Sequence, residues 1–100
     1  MSYYALFYDV APDYLARRPA YREEHLRLAR AAHARGEIVL AGALGDPPDS
    51  ALLVFRTSDP EVIKTFAEND PYVINGIVAR WRIKPWTVVI GDDQNPVPSR

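Results

Sequence analysis

The sequence predicts an α+β domain with the ferredoxin-like order strand, helix, strand, strand, helix, strand. Three observations carry this. Tyr3 to Val10 and Ala51 to Arg56 are apolar at both parities, as strands covered on both faces are. Ile77 to Lys84 alternates instead, with Ile77, Ala79, Trp81 and Ile83 on one side and Val78, Arg80, Arg82 and Lys84 on the other. Between these runs, apolar residues recur at helical spacing in the segment from about Ala20 to Arg35.

Each element follows from local chemistry. The first strand ends at Ala11-Pro12-Asp13. Pro19 fits the first turn of the helix that follows, where its missing N–H costs nothing, and Gly36 is that helix's stop. Ile38 to Leu44 is the second strand, and Gly45-Asp46-Pro47-Pro48-Asp49 is a hairpin loop leading into the third. Ser58-Asp59-Pro60-Glu61 has the capping residue, proline and glutamate of a helix start. This second helix keeps Val62, Ile63 and Phe66 at helical spacing, and Pro71 limits its length. The fourth strand, Ile77 to Lys84, resumes after Pro85 from Trp86 to Ile90. The reading is one domain over residues 1–90, with 91–100 as a flexible tail.

Both helices of this order lie on one face of the antiparallel sheet. Strands one and three then need a second cover, and the sheet of another copy supplies it, so the expected assembly is a homodimer. Composition narrows the partners further. Twelve basic and thirteen acidic residues, mixed along the chain, argue against nucleic acid. Zero cysteines exclude a disulfide framework, a Cys-ligated metal and a thiol nucleophile. No apolar run approaches the ~18 residues of a membrane span, and Met1-Ser2-Tyr3-Tyr4 has no basic leader, so the expectation is a cytoplasmic protein without a membrane partner.

The candidate site starts from His25. Tyr21, His25, Leu28, Ala29 and Ala32 share one sector of the first helix, whereas Glu23, Arg27, Arg30 and Ala34 turn away. An inward imidazole is a candidate acid/base, and Asp70 in Asn69-Asp70-Pro71-Tyr72 is the carboxylate that would fix its tautomer. The two side chains are expected within hydrogen-bonding or one-water distance of each other.

Arg22-Glu23-Glu24-His25-Leu26, Ala41-Gly42-Ala43-Leu44 and Asp70-Pro71-Tyr72, in this order, resemble the YCII-related family over roughly Tyr3 to Trp86. The resemblance implies ferredoxin-like protomers paired as a dimeric α+β barrel, with a His–Asp pair in the active-site pocket. It assigns His25 and Asp70 as the catalytic pair and Gly42 as the family glycine. Arg22 and Tyr72 are read with Gly42 as substrate contacts. Characterised relatives include a dehydrochlorinase acting on chlorinated hydroxyhydroquinones. The function expected is a small enzyme, without cofactor or metal, using His25 and Asp70 for lyase or dehydrochlorinase-like proton transfer on a small, aromatic molecule. The alternative is a non-catalytic small-molecule-binding or assembly module, in which the pair only fixes the helix on the sheet.

The remaining candidates have structural readings. His33, near the end of the first helix, complements the helix dipole. The two histidines stand roughly 80° apart around the helix, which disfavours a shared metal ion. Tyr8, Tyr72, Trp81 and Trp86 are read first as core. Gly42 to Gly45 lacks the strand-to-helix context of a phosphate loop, and no serine sits in a nucleophile elbow.

Overall fold

The computed structural model describes residues 1–91. Four antiparallel strands form one sheet in the order β2-β3-β1-β4, where β1 is Ser2–Val10, β2 Ile38–Leu44, β3 Ser50–Thr57 and β4 Val78–Trp86. This is the ferredoxin-like arrangement expected. The strands β1 and β3 are central and pair along their length from Ser2 opposite Thr57 to Asp9 opposite Ser50. β2, although wholly apolar in sequence, and β4 take the edges.

One face of the sheet holds the core. Leu6 and Tyr8 of β1 pack with Leu53 and Phe55 of β3 under α2 (Arg22–Ala34), α3 (Glu61–Asn69) and α4 (Pro71–Ile74). From α3, Ile63, Phe66 and Ala67 are buried in this layer, and the Phe66 ring meets Phe55 edge-on at 5.5 Å. The other face carries Tyr3, Ala5, Phe7, Leu52 and Val54, with Leu40 and Leu44 of β2 opposite Val54 and Ser50. Leu40 is 70% exposed and Leu44 45%. Toward β4 this face becomes charged, with Arg80 and Arg82 both bonded to the Asp9 carboxylate. Among the described residues no helix is long and apolar enough to cross a membrane.

Several boundaries differ from expectation, each for a local reason. The first long helix begins at Arg22 rather than Ala20, because the chain makes a turn of helix, α1 (Tyr14–Arg17), and a 3-10 turn (Arg18–Ala20) beforehand. Pro19 sits in that 3-10 turn, and the buried Tyr14 side chain anchors α1 to the core. Gly36 does end α2, at φ +82°, a left-handed conformation that L side chains rarely adopt. Gly45 turns the β2–β3 hairpin at φ +95°, where a Cβ would stand 3.0 Å from the Pro47 carbonyl oxygen.

At the start of α3 the Asp59 carboxylate accepts the Glu61 N–H at 3.0 Å, and Thr57 Oγ1 accepts the Asp59 N–H. Pro71 ends α3 as predicted, since the residue before proline is pushed out of the helical region, and Asp70 has ψ 122°. The same proline then opens α4. In β4 the strict alternation fails at the start, where Ile77 and Val78 are both buried, because a register shift at Asp9/Val10 sets Val78 opposite Val10. Further on, β4 runs through Pro85 without a break. It is an edge strand, the place in a sheet where proline is tolerated. The tail expected at 91–100 lies outside the described residues apart from Gly91.

Candidate functional site

Asp70 organises the site, and its own place follows from Pro71. Held extended before the proline, it caps α4 by accepting the Tyr72 N–H on Oδ1 at 3.0 Å. The side chain is fully buried, at 0% exposure, against the underside of α2 and the end of β1. A carboxylate there needs donors on every side. Tyr8 of β1 donates its hydroxyl to Oδ2 at 2.8 Å, and His25 of α2 brings Nδ1 to 2.9 Å from both oxygens. Three elements, β1, α2 and α4, therefore converge on one acceptor.

His25 is fixed in two further respects. Its ring lies flat on Tyr72, with centroids 3.9 Å apart and planes 8° apart, and its side chain is 15% exposed. An ionised carboxylate only accepts, so Nδ1 carries the proton, and in the neutral imidazole the lone pair belongs to Nε2. Nε2 has no hydrogen-bond partner among the described residues.

Beside the imidazole lies a half-open cavity of about 480 Å³ between α2 and the β2 edge of the sheet. Its walls include Tyr8, Tyr14, His25 and Tyr72 on the aromatic side, and Val39 to Ala43 along β2 on the aliphatic side. Arg18, Arg22 and Arg30 also line it. The volume is within the range of roughly 300 to 1,000 Å³ that small-molecule sites occupy.

All five residues read from the sequence reach this place. His25 and Asp70 are bonded directly, and Tyr72, Arg22 and Gly42 line the cavity with His25. Gly42 stands inside β2, its φ is not positive, and a Cβ there would meet open space. Neither Trp81, partly buried on the core, nor Trp86, largely exposed, lines the cavity. His33 holds the structural role expected, with Nδ1 donating to the Ile38 carbonyl at 2.8 Å and so tying the end of α2 to the start of β2. Sequence reading left Tyr8 among the core aromatics and passed over Tyr14, Arg18 and Arg30 as pocket residues. Arg18 belongs to the 3-10 turn before α2, and Arg30 stands eight residues past Arg22, about 80° around the helix, so helical spacing did not mark either as a pocket residue.

The electrostatics of the phenols are set by this cluster. Burial, and then the charge of Asp70 and the hydrogen bond to it, push the Tyr8 phenol far above its ordinary value. Tyr8 therefore stays a neutral donor. Burial also pushes the Tyr72 phenol up, with Tyr14 adding to it and the Arg22 guanidinium pulling back. The Tyr72 hydroxyl is buried without a hydrogen bond of good geometry among the described residues, although Arg22 stands beside it.

Because the folded-state pKa of Tyr8 is raised, its contribution to stability is intact below about pH 10, the ordinary phenol value, and is lost as pH rises above it. In that range the unfolded chain releases a proton the folded protein keeps. The expected extra slope is about 1.4 kcal/mol per pH unit, absent in Tyr8→Phe. Urea unfolding of both proteins between about pH 9 and 11.5 measures it; parallel slopes would show that Tyr8 ionises freely in the folded state.

The fold and the site together define a class: a ferredoxin-like α+β protomer that sets a carboxylate-anchored histidine against a cavity under its first long helix. Within that class the chain belongs to the YCII-related domain family, whose model matches residues 1–87. It is 29% identical over 96 residues to an uncharacterized protein of Haemophilus influenzae, a match covering 87% of this chain and 98% of that protein. Among solved structures it is similar to the 5-chloro-2-hydroxyhydroquinone dehydrochlorinase of Burkholderia phenoliruptrix in complex with 2,5-dihydroxybenzoquinone. That likeness has a TM-score of 0.71 at 20% identity and covers 84% of this chain and 92% of the other. At this identity it speaks for the fold.

Proposed function

We propose that this protein is a small acid/base enzyme acting on a hydroxylated ring compound by elimination, with His25 as the proton-transfer group, and that it works as a homodimer. The observation that carries the reading is the His25–Asp70 contact itself, 2.9 Å from Nδ1 to both carboxylate oxygens, next to an open cavity. A pair that only fastened a helix to a sheet would need no opening at the imidazole. In the proposed step the ring is in its keto tautomer, with the leaving group on a saturated carbon; Nε2 takes a proton from a conjugated hydroxyl or the adjacent ring carbon, the electron pair left behind forms the new double bond, and the leaving group departs as an anion. Asp70 holds the Nδ1–H tautomer, Tyr8 and the Tyr72 N–H hold Asp70, and Tyr72 fixes the ring plane. The dehydrochlorinase among the similar structures performs a reaction of this type, which supports the choice of substrate class.

The test is chloride release from 5-chloro-2-hydroxyhydroquinone, followed by ion-selective electrode. Wild-type protein is expected to accelerate release in proportion to its concentration; a rate equal to that of buffer, with the substrate kept reduced, would reject this substrate class.

The homodimer rests on the open face of the sheet, where Leu40, Leu44, Leu52 and Phe7 leave an apolar surface that the helices do not cover. Light scattering at micromolar concentration is expected to give twice the 11.3 kDa chain mass. Leu40→Lys should shift this toward the monomer. A wild-type monomer under the same conditions would remove the stacked-sheet assembly.

A further inference from the structure

We propose that the cavity takes a small flat organic acid and that Arg22, with Arg18, holds its carboxylate. This rests on the reading of the cavity as a substrate site and names the class of substrate. The carrying observation is an imbalance of charge. Arg18, Arg22 and Arg30 all line the cavity, His25 and His33 line it too, and among the described residues no carboxylate does.

Glu23, beside Arg22 in the chain, does not line the cavity, and three other nearby carboxylates are engaged elsewhere. Asp13 pairs with Arg17, Glu24 with Arg27 and Glu37 with Arg35. Asp70 is buried behind the imidazole and saturated by His25, Tyr8 and the Tyr72 N–H. None of them neutralises the cavity. Like charges gathered around a partly desolvated, mainly apolar space repel one another, and an anion entering that space relieves the repulsion and gains charge-assisted hydrogen bonds.

The shape of the lining selects among anions. Arg18 has its guanidinium 5.4 Å from the Tyr14 ring centroid, which holds it in place, and Arg22 stands beside the buried Tyr72 hydroxyl. Planar guanidinium forks match a carboxylate edge-on. Past this polar end the walls are Val10, Leu26, Ala29 and the β2 side chains, which would strand a fully hydrated anion such as phosphate but cover an apolar ring. Arg22 is a neighbour of Tyr72, and Tyr72 is stacked on His25, so a carboxylate on Arg22 places the attached ring within reach of the imidazole.

The experiment is calorimetric titration of the full chain with 2-hydroxybenzoate, with the uncharged 2-hydroxybenzamide, and with inorganic phosphate. The acid is expected to bind at least about tenfold more tightly than the amide, and phosphate is expected not to displace it. Arg22→Gln and Arg18→Gln, on the rim and away from the core, should each weaken the acid about fivefold or more and leave the amide unchanged. Equal affinity for acid and amide, no heat from either at millimolar concentration, or displacement by equimolar phosphate would each overturn the proposal. So would arginine variants that bind the acid as wild type does. His25→Gln reads the other proposal separately: it should keep the acid's affinity within about twofold, because binding is assigned to the arginines, whether or not His25 transfers protons. An acid bound through Arg22 by a protein that releases no chloride would therefore reject the chlorinated hydroxyhydroquinone as substrate and leave the ligand class standing.

Discussion

Replacing Asp70 with alanine is expected to lower the unfolding free energy by about 3 to 5 kcal/mol, the largest loss of stability at any polar position described here. Three donors lose their acceptor together: the Tyr8 hydroxyl, His25 Nδ1–H and the Tyr72 N–H. The Tyr8 ring is 1% exposed and cannot swing to water, and the Tyr72 N–H opens α4 and has no other partner in reach. Removing the carboxylate also relieves the desolvation of a buried charge, which opposes the loss. That relief is smaller here because the charge is already met by donors on all sides.

For a domain of this size the change should appear as a fall in Tm of more than about 12 °C. Asp70→Asn separates the two parts of the effect. Its carbonyl oxygen keeps the α4 cap, so the stability loss should be well under that of alanine, but its NH₂ now donates toward Nδ1 and moves the imidazole proton to Nε2. Ring ¹⁵N shifts of His25 would report the exchange. An alanine variant within about 1 kcal/mol of wild type would mean that the cluster contributes nothing net and that Asp70 is not held by the contacts seen.

The elements legible from the sequence were those set by periodicity. Four strands, a long first helix and a short second one follow from alternation and helical spacing. What was not legible was set by tertiary packing. Tyr14–Arg17 has too few residues to show a period, and only the burial of Tyr14 in the finished core holds it as a helical turn. The shift at Asp9/Val10 depends on how β4 meets β1, which no single segment encodes.

The same division runs through the site. His25 was visible because an imidazole on an apolar stripe is out of place, and Asp70 because Asp-Pro marks a break. That Asp70 does both jobs, capping α4 and anchoring His25, follows only when Pro71 is seen to start a helix as well as to end one. Tyr8 was hidden by its apolar ring. A tyrosine and a phenylalanine look alike in a strand pattern, and the hydroxyl gains its role only when a carboxylate from a position 62 residues away arrives opposite it.

His25→Gln is expected to reduce chloride release, or turnover of any better substrate, by about 10² to 10⁴ while leaving the protein folded. The two readouts move apart for a structural reason. Glutamine can present an amide N–H to Asp70 in place of Nδ1–H, so the buried carboxylate keeps three donors and Tm should change by no more than a few degrees. What glutamine lacks is a basic lone pair at the cavity, since its remaining oxygen is far too weak a base to take a proton from a hydroxyl or a carbon near neutral pH. His25→Leu then supplies the control. It fills the space beside Tyr72 but leaves Asp70 with the Tyr8 and Tyr72 donors alone, so it should lose activity to the same degree and about 1 to 3 kcal/mol of stability besides. If both variants lose stability alike and glutamine keeps more than about a tenth of the rate, His25 fastens α2 to the sheet and transfers no proton; a rate lost with Tm held can only come from the imidazole acting on the substrate.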